Sequence, residues 1–238
     1  RSIAKEFEGV ELNIIEDRKD LKDLRSALIK VGIARTENPD VHKFLHYHIR
    51  PTFEIAQEEK TGFPLDNLEA GAPGNFILNL TKNWGVMNFL NSLGFAKLMS
   101  SKVEEGVENC GACILLTVPD NSALNYVKGG QALERIWLKL TEMGVATQPM
   151  TTINFFNLRR QLKGMDSFDP KHHQLIQESV AAFSKLFPSV NMDTHGQIML
   201  MRIGYSKGIK TWTVRHLAKT LIDPVAIPVE NANRAAVC

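Results

Sequence analysis

A chain of 238 residues can bury one substantial core, and 44% hydrophobic with 23% charged residues is the balance of a folded protein rather than a disordered one. Its 28 Lys and Arg against 26 Asp and Glu leave a formal charge of +2 at pH 7, too near balance to drive the chain as a whole onto nucleic acid or anionic lipid. No apolar run reaches bilayer length and residues 1–7 contain no apolar signal core, so a cytoplasmic protein is expected. The chain starts at Arg1 without an initiator Met, which suggests a longer parent chain. Its three cysteines, Cys110, Cys113 and Cys238, fit a reducing compartment better than a disulfide framework.

Residues 9–15 read as a short strand with Val10, Leu12 and Ile14 on one face. Asp17 is a natural N-cap for the helix that follows, whose stripe is Leu21, Leu24, Leu28 and Val31 and whose end is expected at Gly32. A second helical stretch covers residues 39–59, interrupted at Arg50-Pro51 because Pro51 has no amide donor. Residues 60–75 carry Gly62, Pro64, Gly71, Pro73 and Gly74 and read as the longest irregular segment, with 61–74 a candidate lid. Helical patterning resumes over 83–105. Ala112 to Val118 is a continuous apolar run, the mark of a strand buried on both faces. Asp120 or Asn121 caps the next helix, which runs to Met143 and stops at Gly144. A loop or short strand over 145–152 precedes two further helices, the second opened by Asp169-Pro170 and closed near Phe187-Pro188. Residues 196–205 form a late strand, and the tail from Asp223 looks extended.

The fold class expected is therefore α+β, a single domain with a mostly antiparallel central sheet holding 112–118 and 197–205, flanked by helices. The chemistry is sparser. Cys110-Gly111-Ala112-Cys113 has dithiol spacing, but the pair leads into a strand rather than a helix, so the cysteines are expected to be inert core residues that neither bind zinc nor cycle. His42 and His46 stand four apart without the glutamate of a metalloprotease helix, and His172-His173 is expected on an exposed turn. There is no Walker or Rossmann phosphate loop and no nucleophile elbow. No catalytic side chain and no metal site is assigned.

The run from Gly130 through Met143-Gly144-Val145 to Gln148-Pro149-Met150-Thr151 resembles the nitroreductase family, in which such a helix and turn lead to a loop beside the flavin ring. Gln197 to Arg202-Ile203-Gly204-Tyr205 is similar to that family's late strand, and Lys210-Thr211-Trp212-Thr213-Val214-Arg215 occupies the place of its phosphate-binding basic segment. Leu45 to Ile49-Arg50, Gly62-Phe63-Pro64-Leu65-Asp66 and Trp84 resemble a narrower, dormancy-associated Acg-like branch. The family's N-terminal Arg/Ser-rich helix and its Pro-Ser-X-X-Asn turn are not in this sequence, so the chain reads as the C-terminal part of a longer one.

The resemblance implies FMN as cofactor, with Arg215 and Lys210 at its phosphate and Thr147, Gln148, Pro149 and Met150 beside its ring. It also implies a homodimer or pseudo-dimer. Electrons would pass from NAD(P)H through the flavin to a small acceptor such as a nitroaromatic or quinone, with hydride chemistry carried by the cofactor. The rival reading is a flavin-sequestering or structural module without turnover.

Overall fold

The computed structural model describes residues 2–68 and 71–206. In chain order the elements are β1 (Glu11–Ile15), α1 (Arg18–Thr36), α2 (Pro39–His48), β2 (Ile49–Arg50), α3 (Phe53–Glu59), β3 (Phe63–Pro64), α4 (Gly71–Leu80), α5 (Trp84–Ser92), α6 (Phe95–Val103), α7 (Glu105–Glu108), β4 (Ala112–Val118), α8 (Ala123–Glu142), β5 (Ala146–Pro149), α9 (Thr152–Lys163), α10 (His173–Leu186) and β6 (Gly196–Gly204). They fall into two compact units, residues 2–36 with 94–206, and residues 37–68 with 71–93.

The larger unit is built on a four-stranded antiparallel sheet in the order β1-β4-β6-β5. Strand β4 is inner and buried at every position, as its unbroken apolar run requires. Because side chains alternate along a strand, β4 feeds two cores. Cys113 and Leu115 join Leu200 of β6 with Leu21, Leu24, Leu28 and Val31 of α1, Ile153 of α9 and Phe183 of α10. Ile114, Leu116 and Val118 face the other way, onto Met201 and onto Ala132 and Ile136 of α8. The unit is thus a sheet with α1, α9 and α10 on one face and α8 on the other. The two runs expected to share a sheet do so as direct neighbours, pairing from Ala112↔Ile203 to Val118↔Gly196 with an irregularity between Leu116 and Thr117.

Helix ends follow their side chains. The Asp17 carboxylate accepts from the amides of Lys19 and Asp20, at 2.8 and 3.3 Å. Gly144, at φ +70°, closes α8 as the Val145 amide reaches back to the Leu140 carbonyl at 2.8 Å. The cap of α8 is Ser122, whose Oγ accepts from the Asn125 amide, while Asp120 braces the turn through the Ser122 amide and the Asn125 side chain. Gly32 does not end α1. It is a packing glycine, since a β-carbon there would lie 2.9 Å from Oγ of Ser100 in α6. The helical pattern over 83–105 is broken at Gly94, whose φ of +89° separates α5 from α6.

In the smaller unit the stretch 39–59 is interrupted where Pro51 predicted, by a two-residue strand that pairs in parallel with β3. The segment 61–74 is less irregular than its Gly and Pro content suggests. It contains β3, a 3-10 turn over Leu65–Leu68 and the first turn of α4, because proline and glycine are tolerated at strand edges and helix starts. Among the described residues no helix is long and apolar enough to cross a membrane.

Candidate functional site

Cross-strand partners share a face of a sheet, so the register lines up Ile15, Cys113, Arg202 and Gln148 in one row across all four strands. The charged member, Arg202, stands on the same face as Leu200, two residues away, under α1. Arg35, in the last turn of α1, and Glu104, which ends α6, close over this end of the sheet. Together with Gln148, Met150 and Thr152 they line a cavity of about 180 Å³.

The electrostatics are those of a partly buried mixed-charge site. Burial lowers the Arg35 pKa, opposed by Glu104. Burial likewise raises the Glu104 carboxyl, against the pull of Arg35, Arg202 and Arg25. Arg35 donates to Oγ1 of Thr152 at 3.3 Å. Arg25 is committed elsewhere, to Glu108 at 2.9 Å and to Ser101. Arg202 can come this close to α7 only because residue 106 is glycine, since a β-carbon there would sit 1.5 Å from Nη1. The cavity therefore holds two guanidinium groups against one carboxyl, a donor set suited to an anion or an electron-rich carbonyl edge.

Of the residues the sequence pointed to, Gln148, Pro149 and Met150 line this cavity, and Thr147 does not. The segment is a strand, not an open loop. β5 is an edge strand, so Pro149 costs the sheet nothing on its free side, and alternation turns Thr147, the partner of Ile203, away from Gln148. The Met150 amide extends the contact to the Leu200 carbonyl at 2.8 Å. Lys210 and Arg215 lie outside the described residues, as does the tail from 223. Arg35, Glu104 and Arg202 had no role assigned from sequence. For Arg202 a signal existed, since it is the one charged residue in the otherwise apolar run Ile198 to Ile203.

Other candidates resolve into structure. His42 is buried with Nε2 2.7 Å from the Thr81 carbonyl, its ring 5.1 Å from Trp84 and 4.4 Å from His46. Burial lowers the His46 pKa, aided by His42 and Lys82. His172 is buried rather than exposed, because the 3-10 turn opened by Asp169 and Pro170 tucks it inward. Among the described residues no group of three His, Cys, Asp or Glu is disposed to hold a metal ion. A larger cavity of about 660 Å³ beside α10 has its one arginine, Arg160, already bound to Asn157, Asp193 and the Met192 carbonyl. No protein-family model, no curated protein and no solved structure matches the chain.

Proposed function

We propose that this chain binds FMN and serves a flavin-dependent oxidoreductase that passes electrons from NAD(P)H to a small organic acceptor. The observation that supports this is that two separate segments of the likeness meet at one cavity. The Gln148-Pro149-Met150 segment, chosen for its likeness to the nitroreductase flavin loop, lines the same cavity as Arg35 and Arg202. Arg202 belongs to the late strand that carries the same likeness, whereas Arg35 was no part of it.

The fit is partial. A cavity of about 180 Å³ is below the roughly 300–1,000 Å³ of a pocket that encloses a whole cofactor. It suits one polar edge of FMN, with the remainder of the cofactor outside the cavity. When bound, the flavin supplies the hydride and electron chemistry. Arg35 and Arg202 hold negative charge at its edge, and Gln148 offers a neutral amide beside them. The same small volume favours a second reading, in which flavin is held without room for nicotinamide and is stored rather than turned over.

Titrating FMN into the full chain and following quenching of flavin fluorescence tests binding. Anaerobic NADH and NADPH then separate the two readings. Saturable binding with bleaching of the visible flavin bands supports the oxidoreductase, and binding without bleaching supports storage. No binding at all removes both.

A further inference from the structure

Outside the cavity, the two cysteines at the start of β4 are closer than inert core thiols need to be. Their Sγ atoms are 3.7 Å apart. Both are buried, yet unequally, for Cys113 is fully enclosed and Cys110 keeps 8% of its surface. The burial expected from sequence holds. The inertness is what the surroundings argue against.

We propose that Cys110 and Cys113 are a two-electron redox site, in which a small hydroperoxide oxidises Cys110 and Cys113 closes an intramolecular disulfide.

Three features of the geometry assign the roles. First, the sulfurs need to approach by roughly 1.6 Å to reach the 2.05 Å of a disulfide, a movement within reach of side-chain rotation. The backbone between them is fixed, because the Gly111 amide is tied to the Ile203 carbonyl at 2.8 Å. Second, Cys110 is the less enclosed of the two residues, and Cys113 has no exposed surface. So little exposed surface favours hydrogen peroxide over a bulky disulfide as the oxidant. Third, charge is arranged around Cys110. Arg202 comes from β6, the cross-strand partner of Cys113. Arg18, at the start of α1, donates to the Cys110 carbonyl at 2.8 Å and to the Glu108 carbonyl at 2.9 Å. Glu104 at the end of α6 acts on Cys113 instead, where its negative charge raises the thiol.

These groups lower the Cys110 thiol to about 7, the hydrogen bond from Cys113 contributing most, against burial and with help from Arg202 and Arg18. The same hydrogen bond, with burial, pushes the Cys113 thiol well above its usual range. At rest the Cys110 thiol donates to the Val107 carbonyl at 3.1 Å, a contact that opposes the thiolate and must be released for reaction. The helix N-terminus that activates most such pairs is absent. Two arginines and a neighbouring thiol take its place.

The step balances. The Cys110 thiolate attacks one peroxide oxygen, the O–O bond breaks, and the departing hydroxide takes a proton to become water. The Cys113 sulfur then attacks the sulfur of the resulting sulfenic acid, the S–S bond forms as the S–O bond breaks, and the departing hydroxyl leaves with the Cys113 proton as a second water. Two thiols and one peroxide give one disulfide and two waters.

The test uses the full chain with Cys238→Ala, so that only these two thiols count. The reduced, folded protein is treated with hydrogen peroxide, quenched with maleimide in denaturant and weighed intact. The expected result is a product lighter by two hydrogens, carrying no maleimide and restored by dithiothreitol. Its rate should rise with a midpoint near pH 7, instead of about 8.5 for an ordinary thiol. In Cys113→Ser the disulfide is lost and a sulfenic acid accumulates at Cys110, captured by dimedone. Two maleimides retained after peroxide, oxidation only once denaturant is present, or thiol loss solely through dimers linked between chains would each overturn the proposal. The mass of the unmodified pair decides the matter even if a serine variant misfolds.

Discussion

Replacing Gly106 with alanine is the smallest change that moves Arg202. The new β-carbon would lie 1.5 Å from Nη1, 2.4 Å from Cζ and 2.9 Å from Nη2. Nonbonded carbon and nitrogen need roughly 3.5 Å, so the guanidinium must withdraw by about 2 Å. The atoms met are the far end of a flexible side chain, so α7 itself can stay in place. Alanine gains about 1 kcal/mol over glycine in a helix, and an off-rotamer arginine costs about 0.5–1.5 kcal/mol. The two nearly cancel, and global stability should change by no more than about 1 kcal/mol. The local consequence is larger. Cys110 loses one of its two flanking cations, and its pKa rises from about 7.

That rise should be smaller than in Cys113→Ala, because the Cys113 hydrogen bond is the leading cause of the lowering. Cys113→Ser, which keeps a hydroxyl donor, should stay nearest to wild type. The assay is the rate of iodoacetamide alkylation of Cys110 against pH, with thermal melting as the control. If Gly106→Ala leaves the midpoint unmoved while the fold is intact, Arg202 does not act on the thiol from where it stands. If it shifts the midpoint more than Cys113→Ala does, the ranking of causes is wrong.

Adjacent glycines in α8 offer an internal comparison. A β-carbon on Gly129 would meet Ile198 at 2.4 and 2.6 Å, whereas one on Gly130 meets nothing within 4 Å. Gly130→Ala should therefore stabilise by up to about 1 kcal/mol, and Gly129→Ala should fall below it by about 1–3 kcal/mol of overpacking in urea melts; equal stabilities would mean α8 does not press on β6 as described. Glu104 has a folded-state pKa raised by burial, so its contribution to stability is present below about pH 4.3 and is lost as pH rises through the raised value. Glu104→Gln should flatten that part of the stability-versus-pH curve, and an unchanged slope would place the titration elsewhere. Arg215→Glu should weaken FMN binding at least tenfold with an unchanged circular dichroism spectrum, a charge-assisted hydrogen bond being worth about 1.5–3 kcal/mol. Equal affinities would take Arg215 off the phosphate.

What could be read from the chain alone divides along a physical line. Features set by local pattern were legible. The apolar run from Ala112 to Val118 announced an inner strand, the stripe of Leu21, Leu24, Leu28 and Val31 announced the face of α1, and Asp17 and Gly144 announced helix ends. Features set by register were not. Glycine at 32 looked like a stop, but its role is to let α6 approach, and that depends on Ser100, 68 positions later in the chain. Gln148 and Thr147 looked equivalent until pairing with β6 sent them to opposite faces.

The clearest case is the cysteine pair. Spacing alone suggested a dithiol, and the strand that follows argued against one, because the helix dipole that usually stabilises a thiolate is missing. Register brought Arg202 beside Cys113, Gly106 let its guanidinium stay there, and Arg18 reached across from another helix. Residues at positions 18, 106 and 202 thus set the charge around the pair, which four consecutive residues could not show. The same Arg202 belongs to the cavity wall. Arg202 thus both lines the cavity and helps lower the Cys110 thiol, so its replacement should alter both.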